Sequence, residues 1–432
     1  MFLGGFNWYV AWTGAQRIGE LIRERNSKSG GKLVVEVAGI SVKPLRLRVT
    51  LSNITSRDDT GRYQGAIEEM DISVPFQAIY RMSLSGESLS GPPEEVLPKL
   101  KVRQVTMKNL TGTMNHDGKG GNLAVESLKV RGPISIIPGL GKALKEGTTP
   151  PEEVLAGMQE PWQITMKNIS FEGSGRFQGN ILALGELELS GNLLASPELA
   201  KKLGVPQRAD ATRPPAQSHG VLKNFSLTIA PSAVSPNKFG GKLNIAKIEG
   251  TSTETSEVST SDTTLTELTL DAPDLLRQVP EVRAFVGQGP LVTTATLHTD
   301  LKPATKEIGA RLDVLMHMCR LQFSGDVILR EPDYKSSVIR SAKLRLSGLN
   351  DALKLMIATL ERGWGRPLPR EGEDIVIEAS GTFGAPRIKG LWGTSSSEEP
   401  CDKVAHRDLN KVAAGLERLK TEVTDKIGRA HV

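Results

Sequence analysis

An internal duplication constrains this chain more than any other feature. The stretch PPEEVLPKLKVRQVTMKNLTG begins at Pro92, and PPEEVLAGMQEPWQITMKNISFEG begins at Pro150. Within them, VTMKNLT and ITMKNIS place Asn109 and Asn168 at the same point of the motif. Self-similarity of this kind is typical of folds that stack one supersecondary unit on the next. We therefore expect a repeat protein.

Each repeat predicts a pair of strands. The unit consists of a short Pro-started helical turn, a strand that ends in Asn-apolar-Ser/Thr, a Gly-rich turn, and a second strand that closes on Gly. In residues 45–54, LRLRVTLSNI, apolar residues alternate with polar ones, which is the two-residue period of a half-buried strand. In residues 186–189, Glu186 and Glu188 likewise lie opposite Leu187 and Leu189. The Asn of the signature occurs four times, at Asn53, Asn109, Asn168 and Asn224.

The sequence predicts a mostly β fold with helical insertions, in which repeated antiparallel strand pairs form an extended curved sheet or groove. A helix is expected at residues 351–362, capped by Asn350 or Asp351, and a long strand region over residues 308–329. The expected boundaries are an N-terminal helix at 1–27, β repeats at 28–91, 92–149 and 150–209, a Pro-rich linker at 210–219, a fourth repeat at 220–272, a degenerate β region with helices at 273–395, and a linker with an amphipathic helix at 396–432.

Both ends of the chain carry specific expectations. Residues 2–12 are apolar and aromatic but too short for the ~20 residues that a membrane span needs. Trp and Tyr concentrate at membrane–water interfaces, so this segment predicts a membrane anchor; an aromatic cap on the β core is the alternative. The last six residues, IGRAHV, match what a common sequencing adapter would encode, which predicts a truncated C-terminus. The anchor residues are Phe2, Leu3, Phe6, Trp8, Tyr9, Val10 and Trp12.

The sequence contains no pattern that predicts catalysis, a metal or a cofactor. The six histidines lack a second ligand at helix or hairpin spacing, and Met316-His317-Met318-Cys319 alternates across a strand, which favours a core role. The net charge of +5 comes from interspersed signs, so no nucleic-acid track is expected. The four Asn triplets fit the glycosylation pattern, but their recurrence at one repeat position favours a structural role.

A family resemblance adds to this interpretation. The membrane-proximal N-terminus, the strands that close on Leu-x-Leu-Ser-Gly, and the late ASGTFGAPRIKG at residues 379–390 resemble the AsmA-like family of bacterial envelope proteins. The resemblance extends loosely over residues 1–392. It implies an inner-membrane anchor, a body on the periplasmic side of a Gram-negative bacterium, and an apolar groove that shields lipid acyl chains. Strands with one apolar face can line such a groove, and the residues expected to do so here are Leu182, Leu184, Leu187 and Leu189. The helical PPEEVL segments and the Pro-rich linker depart from the family pattern.

Two functions remain open at this level. One is a non-catalytic, membrane-anchored protein that handles lipids or maintains the outer membrane, with phospholipid acyl chains as partners and the C-terminal helix as a candidate site for an envelope protein. The other is a structural or adhesive β-repeat protein, such as a surface stalk or virion component. An apolar groove favours the first function, and a closed core favours the second.

Overall fold

The structure is a computed structural model that describes most of the chain before residue 390. The described residues are 2–83, 101–116, 119–148, 154, 157–158, 160–175, 177–192, 216–230, 240–255, 257–272, 289–365 and 367–389. They fall into two compact units, one made of Met1–Thr255 and Thr269–Pro280 and the other of Ser256–Leu268 and Glu281–Val432. We call these the first unit and the second unit.

The first unit is a sheet of nine antiparallel strands within the described residues, in which each strand pairs with its neighbour in the sequence. The helices are α1 (Phe2–Lys28), α2 (Phe76–Ser83) and α3 (Ile137–Glu146). The strands are β1 (Leu33–Lys43), β2 (Arg48–Asp58), β3 (Tyr63–Ser73), β4 (Gln104–His116), β5 (Lys119–Arg131), β6 (Pro161–Gly175), β7 (Ile181–Asn192), β8 (Ala216–Ile229) and β9 (Gly241–Glu254).

The second unit is also an antiparallel sheet with strands in chain order, and the two-residue β15 pairs with β16. One longer helix, α4 (Asp351–Trp364), precedes the last strands. The strands are β10 (Ser259–Asp271), β11 (Val292–Lys302), β12 (Glu307–Met316), β13 (Arg320–Ile328), β14 (Val338–Ser347), β15 (Arg370–Glu371), β16 (Asp374–Thr382) and β17 (Ala385–Lys389). The last three residues of β10 belong to the first unit. The prediction of a mostly β, antiparallel, curved and open fold with few helices is confirmed.

Helices pack at one end of the first sheet. The buried side chains of Val10 from α1 and Ile79 from α2 join Val42 and Val49 of the first two strands in one core cluster. The helix α1 is also tied to the edge strand β1, because the Asn26 side chain donates to the Val35 carbonyl at 2.7 Å and accepts from the Val35 N–H at 3.0 Å. An exposed strand edge carries unpaired backbone groups, and Asn26 satisfies one pair of them.

A helix covers part of the second sheet in a similar way. Ile357 of α4 packs with the buried Cys319, Leu349 and Ile375. The predicted cap is confirmed: the Asn350 side chain accepts from the Leu353 N–H at 2.9 Å, which satisfies a donor that a helix N-terminus leaves unpaired.

Two predicted strands are wrong. Residues 45–54 do not form one strand, because Pro44 fixes the backbone for a 3₁₀ turn over Pro44–Arg46 and Leu47 then takes a left-handed φ of 51°. Leu45 is consequently 86% exposed. The run from Met316 to Cys319 is a hairpin turn between β12 and β13, in which the Met316 N–H donates to the Cys319 carbonyl at 2.9 Å.

Several expected boundaries also change. The predicted linker at 210–219 is partly strand, because residues 216–219 belong to β8 and Ser218 pairs with Gly191 and Ser252 on its two sides. The division between units falls at 255/256, so most of β10 belongs to the second unit and not to the fourth repeat. Three expectations lie outside the described residues: the helical turn at 92–97, the insertion at 273–288 and the C-terminal helix at 396–432.

Candidate functional site

The four signature asparagines lie in the middle of strands, and not at the strand ends as predicted. Asn53, Asn109, Asn168 and Asn224 occupy β2, β4, β6 and β8 and have φ values of 50°, 47°, 48° and 54°. This left-handed conformation is costly for most side chains, and Asn tolerates it better than most. The recurring residue is therefore explained by backbone geometry, a reason that the sequence pattern alone did not reveal.

These asparagines line up across the sheet. Pairing continues on both sides of each Asn without a change of register, so one row of residues crosses the nine strands. We call this row the crease. The Asn109 amide donates to the Glu68 carboxylate, and the Asn168 amide donates to the Glu126 carboxylate. The crease consists of Ala38, Asn53, Glu68, Asn109, Glu126, Asn168, Gly185, Asn224 and Ala246.

A second polar row runs beside the crease and carries ion pairs. Lys108 Nζ lies 2.6 Å from Glu69, whose hydrogen bond raises the pKa of Lys108. Lys223 Nζ lies 2.7 Å from Glu186, and its hydrogen bond lowers the pKa of that carboxyl. These groups are solvated, so the pairs contribute little to stability. These charged residues lie directly beside the crease, so the apolar residues of each strand begin on either side of the two rows.

The crease explains a break in the apolar pattern. Leu184 and Leu187 of β7 are three residues apart, a spacing that puts side chains on opposite faces of a regular strand. All eight remaining strands of the first sheet have the same three-residue spacing across the crease, as Met107 and Leu110 do in β4. Two consecutive polar residues fill the gap in six of the nine strands. This arrangement indicates that the crease reverses the alternation of side chains at one point of each strand. The apolar side chains before and after the crease therefore point to the same face.

That face is composed of four rows of residues that pair directly across the nine strands. Two rows lie on each side of the crease, and most members are aliphatic or aromatic, with Ser56 and four glycines as exceptions. Row A is Ile40, Leu51, Met70, Met107, Leu128, Met166, Leu187, Leu222 and Ile248; row B is Val42, Val49, Ile72, Val105, Val130, Ile164, Leu189, Gly220 and Gly250; row C is Val37, Ile54, Ile67, Leu110, Val125, Ile169, Leu184, Phe225 and Ile245; row D is Val35, Ser56, Gly65, Gly112, Leu123, Phe171, Leu182, Leu227 and Leu243.

This apolar face is not sealed. Every residue of row A keeps partial solvent exposure, and none of the nine is buried. Four members of row C lie deeper, since Ile54, Val125, Leu184 and Ile245 are each exposed by less than one tenth, whereas its other five members keep partial exposure. A conventional two-layer core would bury row A as well, because packed interiors leave little solvent-accessible area. The face therefore offers a continuous apolar surface that keeps partial exposure at most of its positions.

The four leucines predicted to line a groove all lie on this face. Leu182 belongs to row D, Leu184 to row C, Leu187 to row A and Leu189 to row B. They represent one strand of nine, so the sequence located the surface but not its extent. The signal that could have found the rest is the three-residue apolar spacing, which recurs in β3, β5 and β9 as well as in β7.

The predicted anchor residues divide between two environments. Val10 is 3% exposed and belongs to the core cluster, so it does not face outward as an anchor residue would. Trp8, Tyr9 and Trp12 are 66%, 48% and 49% exposed, and the two Trp rings stack at 6.2 Å. The remaining three, Phe2, Leu3 and Phe6, lie in the first turns of α1. None of the described helices has the length and apolar content for crossing a bilayer.

The polar groups of the described residues do not form a recognisable reactive centre. No cluster of His, Cys, Asp and Glu within them could hold a metal ion. Cys319 is buried, which raises the pKa of its thiol. The most organised group is His298, whose ring nitrogens lie 2.7 Å from Asp262 and 3.0 Å from Asp300. The hydrogen bond with Asp262, followed by that with Asp300, raises the pKa of His298.

Comparison with protein-family models, with curated proteins and with solved structures gives no match to this chain. The resemblance to AsmA-like proteins accordingly stays a prediction from sequence. The apolar face and its crease are thus the features on which a functional argument can be built.

Proposed function

We propose that this protein binds lipid acyl chains on the apolar face of its first unit and serves in lipid handling at the bacterial envelope. The observation that carries the proposal is row A, a line of nine aliphatic side chains, none of them buried. Neighbouring strands lie about 4.8 Å apart, so the row extends for roughly 38 Å. That length suits an elongated apolar ligand better than a compact one.

The physical basis is the cost of leaving such a surface in water. Burial of apolar area contributes about 25 cal/mol per Å², and soluble proteins rarely expose large contiguous apolar patches. Aliphatic side chains give no directional contacts, so they select for apolar length and not for a particular headgroup. A polymethylene chain satisfies this requirement, at about 0.8 kcal/mol for each buried CH₂ group.

The rest of the proposal follows the sequence resemblance. The protein is non-catalytic, is held at the periplasmic side of the inner membrane of a Gram-negative bacterium, and takes part in lipid transport or outer-membrane biogenesis. The alternative of a structural stalk requires the apolar side chains to fill a closed core. The partial exposure of row A argues against that alternative.

Lipid uptake tests the proposal. Delipidated full-length protein is mixed with a radiolabelled phospholipid in mild detergent, and the bound label is measured after gel filtration. We expect stable co-elution of lipid with the protein. Protein that elutes free of label, and that also carries no lipid when first purified, would contradict the proposal and favour the structural alternative.

A matched pair of double variants locates the binding surface. Leu128→Gln with Leu187→Gln places two amides in row A, and we expect a large loss of uptake because each amide must be desolvated beside the chain. Lys129→Gln with Glu188→Gln alters the next residues along the same strands, whose side chains point to the polar face. The control should bind as the unaltered protein does. Equal uptake by both variants would show that lipid binds elsewhere.

A further inference from the structure

Exposed apolar side chains from three elements gather near the helical end of the first sheet. They are Trp8, Tyr9 and Trp12 of α1, Leu45 of the 3₁₀ turn and Phe76 of α2, with exposures between 48% and 86%. The helix α1 contacts both α2 and the 3₁₀ turn, so the three elements form one end of the unit. We call these five residues the aromatic end.

The aromatic end is held rigidly from behind. Val10 lies between Tyr9 and Trp12 in sequence but on the other side of the helix, where it packs with Val42 and Ile79 in the core cluster. Trp8 and Trp12, one turn apart, stack with an interplanar angle of 9°. Core packing thus fixes the helix so that its aromatic side points away from the protein, and the rings are ordered without a covering layer.

The charges nearby select the partner. Lys43 and Arg46 flank the exposed Leu45, both are exposed, and neither forms an ion pair in the described part of the chain. Arg48, the next cation, is paired with Asp71 at 3.3 Å. Trp and Tyr partition to the headgroup level of a bilayer, and unpaired cations are attracted to anionic lipids. This combination of rings and free cations fits a membrane surface.

We infer that the aromatic end is a docking surface for a bilayer that contains anionic lipids. The inference rests on the proposed function and deepens it, because the same helix touches the apolar face. A Cβ at Gly19 of α1 would lie 3.7 Å from Ile40 Cδ1, the first residue of row A. Nearer the rings, Val10 packs with Val42 and Val49 of row B, so docking through the aromatic end brings this edge of the apolar face close to the membrane, where an acyl chain is available.

Vesicle flotation tests the inference with the full-length protein. Vesicles of phosphatidylcholine alone are compared with vesicles that contain equal parts of phosphatidylcholine and phosphatidylglycerol. We expect the protein to float with the mixed vesicles. Lys43→Gln with Arg46→Gln should weaken that binding roughly 30-fold, at about fivefold for each cation. Trp8→Ser with Trp12→Ser should weaken binding to both vesicle types by roughly tenfold or more.

The control replaces exposed apolar residues of the second unit. Leu355 is 66% exposed and Phe383 is 47% exposed, so Leu355→Ser with Phe383→Ser removes comparable apolar area. This variant should float as the unaltered protein does. Equal loss in the control and in the Trp variant would overturn the inference, because it would show non-specific adsorption of apolar side chains.

Failure of docking and failure of lipid binding can be told apart. The Trp8→Ser, Trp12→Ser variant should still take up radiolabelled phospholipid from detergent, since its apolar face is intact. Protein that takes up lipid from detergent but never floats would overturn the docking inference and leave the proposed function standing. Protein that floats through the aromatic end but takes up no lipid would support docking and contradict the proposed function.

Discussion

The two units are both antiparallel sheets, but they differ in where the regular strand geometry is interrupted. In the first unit, four alternate strands carry an Asn with positive φ at one aligned position, and the register of every strand pair is uninterrupted. In the second unit, Glu267 of β10 has a φ of 50° at a point where pairing with β11 continues on both sides, but later strand pairs shift register at Val292/Thr294, Asp326/Val327 and Ile339/Ala342. Apolar residues alternate without a break in β12, from Ile308 to Val314.

The difference shows what the duplicated sequence encodes. The repeat is visible where Asn occupies the positive-φ position, and it fades in the second unit, where Glu267 adopts that conformation and later strand pairs change register. Aliphatic residues at the apolar positions are interchangeable, so the core leaves a weak sequence signature. A backbone position that needs φ near 50° accepts few residue types, and it therefore leaves a strong one.

The largest expected effect is a loss of stability at the buried cluster beneath α4, compared with a smaller loss at row A. Ile375 of the second unit is 1% exposed and packs with Ile357 of α4. Ile375→Ala should therefore lower the free energy of unfolding by about 2–5 kcal/mol, the usual range for a buried large-to-small substitution. Met107 of row A is partly exposed, and Met107→Ala should cost about half as much or less, because part of that area is in water already. Chemical unfolding of each variant gives the two free energies. Equal costs would mean that row A is packed as a closed core.

The next effect tests the crease itself. Asn168→Val should destabilise the first unit by about 1–2 kcal/mol, since a β-branched residue is strained at positive φ. Asn168→Gly should destabilise the unit by only about a few tenths of a kcal/mol, because Gly adopts this conformation readily. Arg311→Val, at an exposed mid-strand site in β12, is the control and should be nearly neutral. The crease account fails if Gly and Val at position 168 are equally harmful.

The smallest effect concerns the polar face of the second unit. Asp262 and Asp300 flank His298 and raise its pKa, and Arg311 pairs opposite it in β12. A group whose pKa is higher in the folded state contributes stability that is fully present below its ordinary value of 6.5 and is lost as pH rises through the raised value. Hydrogen exchange of β10–β12 should therefore become faster as pH rises through that window, after correction for intrinsic rates. His298→Asn should remove this dependence.

Much of the fold follows from sequence, and the reasons for the failures are specific. Alternation predicted the strands, and Asn350 predicted the start of α4. Alternation predicts a strand at Leu45, because the pattern carries no information on the 3₁₀ turn that begins at Pro44. The two-residue period predicts a strand end at the signature Asn, because that period cannot represent a left-handed residue within a strand. Leu184 and Leu187 flank Gly185, which lies between Asn168 and Asn224 in the crease, so the break in alternation in β7 coincides with the left-handed Asn of both neighbouring strands.

The most direct test of the account uses photo-reactive residues along β7. A photo-crosslinking amino acid is placed singly at Leu182, Ala183, Leu187 and Glu188, and the lipid-loaded protein is irradiated and analysed for lipid adducts. The account predicts adducts at Leu182 and Leu187, which share the apolar face across the crease, and none at Ala183 or Glu188. A regular strand would turn residues 182 and 187 to opposite faces. Adducts at one of these two leucines only, or at all four positions, would contradict the account.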